Sequence, residues 1–201
     1  MSSPASYASP RALATTCSVL LGLSGAVAVW NAVTGLVVDA PSVPYPDTGD
    51  LVEMPLSAAL DVVFVMWLYR VRVNAEVICP HGRQRGRGWV IGGWFIPFVN
   101  FYLPWRITTD IWKASGPTDE HGVPRPASTT LVNAWWSTWV ASLVLAPVPV
   151  PAARIASESA IAVAAVLAIL VVRRLTAMQE RHAEAARTAA PAAYRVLAEH
   201  T

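Results

Sequence analysis

The chain has 201 residues, of which 54% are hydrophobic and only 14% charged, with a mean hydropathy of +0.43. Soluble domains carry about 25% charged residues, and no charge interrupts 12–38, 88–105 or 126–153, so composition excludes an ordinary soluble domain. The net charge of +2 is unremarkable, and no nucleic-acid partner is expected.

Residues 1–11 form a short amino-terminal segment with one basic residue, Arg11. A first helix follows at about 12–38. Its apolar run is far longer than the roughly 7–15 residues of a secretory signal core, so it reads as an uncleaved membrane helix. A Pro-rich acidic loop with Asp39, Asp47 and Asp50 leads to a second helix at about 51–75, whose apolar part ends against Arg70 and Arg72. The third segment, "GWVIGGWFIPFVNFYLPW", contains Pro97, Asn100 and Pro104. Proline removes an amide donor and clashes with the preceding turn, and non-helical backbone at membrane depth survives only against protein or water. Gly92, Gly93 and Asn100 suit such a break, so 88–104 is expected to enter the bilayer and return on the same side. The next stretch, 105–115, reads as an interfacial helix. Ile107, Ile111 and Trp112 lie near one face, and Arg106 and Asp110 are spaced for an i,i+4 pair. Helices at about 129–146 and 155–175 flank the Pro147, Pro149, Pro151 series. A charged tail, 176–201, should prolong the last helix until Pro191 interrupts it.

Lys and Arg concentrate on the cytoplasmic side of membrane proteins. If all five apolar segments crossed, seven basic residues would lie on one side and eight on the other; with a re-entrant third segment, every one except Arg154 shares the side of the termini, fourteen against one. The expected fold is therefore all-α and polytopic: four spanning helices, a Pro-broken re-entrant segment and an interfacial helix, with 12–175 as the membrane domain and both termini cytoplasmic. Eight of the nine Trp fall between 67 and 139. Trp67, Trp89, Trp105, Trp112, Trp135 and Trp136 would approach the cytoplasmic interface as an aromatic belt, whereas Trp94 and Trp139 suit packing between helices. Fourteen of the fifteen basic residues are Arg, a skew suggesting a GC-rich bacterial genome and hence the bacterial plasma membrane.

Asp61 stands out chemically. It lies nine residues before Arg70, about 13 Å along a helix, so it falls near mid-bilayer, where a carboxylate marks a functional hypothesis. Cation binding, proton relay, or a hydrogen bond to Asn31, Asn100 or Asn133 are its options; Glu53 and Glu158 near the outer helix ends are expected to be solvated. Small residues recur at i+4 as Ser18, Gly22 and Ala26, then as Ala156, Ala160, Ala164 and Ala168. Such ladders allow close helix approach, within one chain by default and between copies in a homo-oligomer as the alternative. In the "CPHGRQRGRG" loop, Cys79 and His81 lack a second ligand pair, and the glycines match no nucleotide fingerprint. Arg83, Arg85 and Arg87 fix topology and are candidate contacts for anionic lipid head groups. Cys17 and Cys79 are not expected to pair. No Ser-His-Asp, H-E-x-x-H or P-loop pattern appears, so no enzyme activity, cofactor or metal is expected.

"WLYRVRVNAE" at 67–76, the 88–115 segment, "LVNAWWSTWVASLV" at 131–144 and "VVRRLTAMQERH" at 171–182 occur in this order. Together they make 50–185 similar to the domain of unknown function 4328 family, found mainly in actinobacterial membrane proteins. The resemblance implies signature positions at Trp67, Arg70, Asn74, Glu76, Trp89, Pro97, Asn100, Pro104, Asp110, Trp112 and Gln179. It also implies a plasma-membrane location, and no activity. Residues 79–88 are more basic than the family's pattern, and the 39–50 loop is individual to this chain. The functional expectation is a non-enzymatic interaction or regulatory module for a cytoplasmic protein or lipid. Its face is formed by Arg70, Asn74, Glu76 and the helix carrying Arg106, Asp110 and Trp112. The alternative is a small transporter or channel using the broken segment and Asp61.

Overall fold

The computed structural model describes residues 6–37, 48–80, 86–93, 96, 99–117 and 127–199. Among them every regular element is helical: α1 (Arg11–Val37), α2 (Thr48–Ile78), α3 (Trp89–Gly92), a 3-10 turn (Val99–Phe101), α4 (Leu103–Ala114), α5 (Thr130–Leu145) and α6 (Pro151–Glu199). Prolines punctuate these elements. α1 starts directly after Pro10, Pro104 sits in the first turn of α4, and Pro151 opens α6, positions where the missing amide would be unpaired anyway. Pro55 is one exception, lying inside α2. The helix also continues through Pro191 to Glu199. The expected interruption there is absent: a helix tolerates an internal proline at the cost of a lost hydrogen bond and a local clash, which the flanking Ala-rich stretch, of high helix propensity, offsets.

α1, α2 and α6 are long and apolar enough to cross a membrane, over Arg11–Leu36, Val52–Ile78 and Pro151–Thr188. α5 has 16 residues, about 24 Å of helix. α6 is the central element, packed most extensively on α1 and α5, while α2 leans on α1 and more lightly on α6. α1 runs antiparallel to α6: Arg11 meets Glu180, Gly25 faces Ala165, and Gly35 faces Ile155. α2 is antiparallel to α1, from Asn31–Glu53 at one end to Ala8–Asn74 at the other.

Close packing along α1 does not follow the ladder read from the sequence. Gly22 and Ala26 are exposed, and the buried line is Ala14, Cys17, Leu21, Ala28 and Ala32, with Ser18 alone retained from the ladder. A four-residue step drifts around a 3.6-residue helix, so 18-22-26 leaves the contact face. Gly25 provides the close approach instead, since a Cβ there would lie 3.1 Å from that of Ala165. On α6, Ala164 and Ala168 are buried as expected, joined by Ala165, whereas Ala156 is exposed.

The third segment is broken, as its composition demands. α3 lasts four residues, and the chain then passes through the 3-10 turn into α4. Gly93 is the glycine that matters: a Cβ there would sit 2.9 Å from both Leu103 Cδ2 and the Trp89 carbonyl, whereas one on Gly92 would meet nothing. Pro97 and Trp94 lie outside the described residues. Indole donors fasten this segment to α5. Trp136 Nε1 donates to the Phe101 carbonyl at 3.0 Å, and Trp105 Nε1 to Asn133 Oδ1 at 2.9 Å; Trp112 Nε1 donates to the Ser128 carbonyl just before α5 at 3.1 Å.

Four of the six tryptophans expected at the interface are buried in the protein. Trp67 is fully buried, Trp112, Trp135 and Trp136 are buried, and Trp89 is half exposed. Phe64, Trp67 and Trp135 share ring contacts that continue through Trp136 to Trp139, with neighbouring centroids 4.7–5.7 Å apart. These are edge and tilted geometries that aromatic pairs favour. Trp139 is partly buried against this core.

Candidate functional site

Two fully buried amides, Asn74 on α2 and Gln179 on α6, organise the end of the bundle where α1 begins and α2 ends. Asn74 Nδ2 donates to Gln179 Oε1 at 3.1 Å and to the Ala8 carbonyl at 2.9 Å, while its Oδ1 accepts from the Ala8 amide at 3.1 Å. Gln179 Nε2 donates to the Val71 carbonyl at 2.8 Å and to Ser115 Oγ at 3.0 Å. Ser115 caps the carboxyl end of α4 and is fully buried. One turn away on α6, Thr176 Oγ1 accepts from Trp67 Nε1 at 3.1 Å. His182 lies 3.0 Å from the Gly116 carbonyl. Helices α2, α4, α6 and the amino-terminal segment thus meet in one polar knot. Burying amides is tolerable because their donors and acceptors find partners.

Glu180 extends the knot outward. Its Oε1 accepts from Tyr7 Oη at 3.0 Å and Ser9 Oγ at 2.5 Å, and its Oε2 pairs with Arg11 at 3.1 Å. Residues 7–11 are thereby strapped across the end of the bundle. Burial first, then the hydrogen bond to Glu180 and its charge, pushes the Tyr7 phenol up to about 12.

A second charged group lies beside the knot. Glu76 sits between two guanidinium groups: Arg72 Nη1, buried, lies 3.0 Å from its Oε1, and Arg87 bonds its Oε2 through Nε at 2.9 Å and also through Nη2. Asp110 on α4 also acts electrostatically on Arg72, more weakly than Glu76. Arg87 therefore returns the 79–88 loop to α2. Of the three candidate lipid-binding arginines, Arg83 and Arg85 lie outside the described residues. Both ends of the 88–115 segment attach to this same end of the bundle, through Arg87–Glu76 and through Ser115–Gln179.

Of the residues singled out from the sequence, Asn74, Glu76, Asp110 and Gln179 converge on or beside the knot. Arg70 is exposed and makes no hydrogen bond or ion pair among the described residues. Arg106 and Asp110 stand 3.7 Å apart on the outward face of α4, with exposed Lys113 one turn on. The opposite face is buried in protein, Trp112 and Pro104 included. Asn100 Oδ1 and Thr109 Oγ1 are buried without a hydrogen-bond partner among the described residues.

Asp61 belongs to none of this. It is exposed on α2 and makes no hydrogen bond or ion pair among the described residues. Two of the asparagines offered as its partners are occupied elsewhere: Asn31 donates to Glu53 Oε1 at 2.8 Å, and Asn133 accepts from Trp105. Glu53 and Glu158 are partly buried rather than simply solvated, and Asn31 bridges them. Sequence reasoning missed Tyr7, Ser9, Ser115, Thr176 and Glu180. Glu180 was one charged residue among several in this part of α6, and nothing in the sequence set it apart.

No curated protein and no solved structure matches the chain. A family model does, the domain of unknown function DUF4328, over residues 47–177. The matched stretch begins just before α2 and ends two residues short of Gln179, so it contains Asn74, Glu76 and Ser115 but neither α1 nor the strap. Covering about two thirds of the sequence, the match establishes that this chain belongs to the DUF4328 family.

Proposed function

We propose that the chain is a bacterial plasma-membrane protein with four spanning helices and both termini cytoplasmic, working as a non-enzymatic interaction module. In this proposal α1, α2, α5 and α6 cross the bilayer, and the segment 88–104 enters and returns. The observation that carries it is the attachment of both ends of 88–115 to one end of the bundle, at Glu76 and at Gln179. A spanning segment would separate those attachments by about 30 Å. Basic residue placement supports the same side as cytoplasmic. The surface offered there is the outward face of α4, with Arg106, Asp110 and Lys113, together with Arg70. Mixed charge at that level suits a soluble protein or anionic head groups. The transport alternative draws on Asp61, which faces out of the bundle and so offers no path between helices.

Single cysteines test the topology. In a background with Cys17 and Cys79 replaced, Gly86→Cys and Lys113→Cys should both resist a membrane-impermeant thiol reagent until cells are permeabilised. Val148→Cys, in the exposed α5–α6 turn, should label in intact cells. Opposite behaviour at 86 and 113 would mean that 88–105 crosses, and the proposal would fail.

A further inference from the structure

The contact between Asn74 and Ala8 has an unusual form for two segments of one chain. The side-chain amide of Asn74 engages both the N–H and the C=O of a single residue, at 3.1 and 2.9 Å. That pairing imitates one rung of a β-ladder. It reads backbone and ignores the Ala8 side chain, so it would accept any residue in an extended strand. Specificity comes from the flanking positions, where the hydroxyls of Tyr7 and Ser9 share one carboxylate oxygen of Glu180. The amides beneath, Asn74 and Gln179, are fully covered while the strap is in place. Their donors and acceptors are costly to leave dry and unpaired, so the notch demands an occupant or water.

We propose that Asn74, Gln179 and Glu180 form an extended-peptide-binding notch, for which residues 7–9 are an exchangeable ligand supplied in cis. Its ligand class is a peptide with hydroxyl side chains on both sides of a central residue, arranged as those of Tyr7 and Ser9 are about Ala8. A partner's segment of that kind gains access by displacing the strap, and the strap sets the threshold by competing at high effective concentration. The inference specifies the partner of the interaction module, but it rests on the notch geometry alone. A wrong topology would leave it standing, and its own failure would leave the cysteine labelling unaffected.

The test uses the full chain in detergent and a fluorescein-labelled Ser-Tyr-Ala-Ser-Pro-Arg peptide, the sequence of residues 6–11. The Tyr7→Phe/Ser9→Ala double variant loses the hydroxyl bonds of its own strap and should bind the peptide at least tenfold more tightly than the unaltered chain. Adding Glu180→Ala to that variant should abolish the gain. A peptide with Phe and Ala at the hydroxyl positions should bind at least tenfold more weakly. Equal affinity of the two peptides, or equal affinity of the altered and unaltered chains, would overturn the proposal. If the double variant does not fold, Ala8→Cys in the otherwise unaltered strap answers the question. Excess peptide should accelerate modification of that thiol several-fold, and an unchanged rate would equally overturn the notch.

Discussion

Gln179 joins three elements by itself, and its removal should be felt through all of them. Gln179→Leu keeps a similar volume but leaves Ser115 Oγ without its donor and takes one acceptor from Asn74. A buried polar group left unpaired costs about 1–3 kcal/mol. Thermal unfolding in micelles should drop by roughly 2–4 °C per kcal/mol for a chain of this size; a shift below 1 °C would contradict the role given to the knot. Tyr7 makes a second, pH-dependent prediction. Its phenol is held up to about 12 by burial and by Glu180, so the folded state favours the neutral form. Its contribution to holding the strap is therefore complete below the ordinary tyrosine range near 10 and is lost as pH rises towards 12. The difference absorbance titration of the chain against Tyr7→Phe should isolate a midpoint near 12, and a midpoint near 10 would show that the strap does not bury the phenol. Asn74 and Gln179 were legible beforehand only through family resemblance. A buried amide has no periodicity of its own, and hydropathy counts it simply as polar.

Helix positions could be read from uncharged runs and proline punctuation, and α5 falls within one residue of its expected ends. Helix faces could not. The i+4 ladder on α1 picks Gly22 and Ala26, whereas contact with α6 requires Gly25. Membrane helices are apolar on every side, so hydrophobic pattern carries no information about which side meets protein. The two glycines make the difference measurable. Gly25→Leu forces side-chain atoms into the space held by Ala165 and should destabilise by about 1–3 kcal/mol. Gly22→Leu enters open space and should be neutral or slightly stabilising, because Leu is the better helix former by nearly 1 kcal/mol. Parallel melting curves of the two variants decide this, and similar losses at both positions would mean the α1–α6 seam is drawn wrongly. The burial of the tryptophans was unreadable for a related reason. Tryptophan suits a membrane interface and a tight core equally well, and Trp67 with Trp135 took the core.

At the scale of the whole molecule, the family segment is incomplete as a packed object. α1 lies outside the matched residues, yet it makes the most extensive contact that α6 has. The continuous helix of α6 also passes well beyond its own apolar stretch. From Gln179 to Glu199 it projects about 30 Å at 1.5 Å per residue, so each 10° of tilt at the knot would swing its tip by about 5 Å. Gln179 and Glu180 sit at the fulcrum, held by α2, by α4 and by the strap. A lever pivoting there would turn the loss of a few hydrogen bonds into a displacement large enough for another molecule to feel.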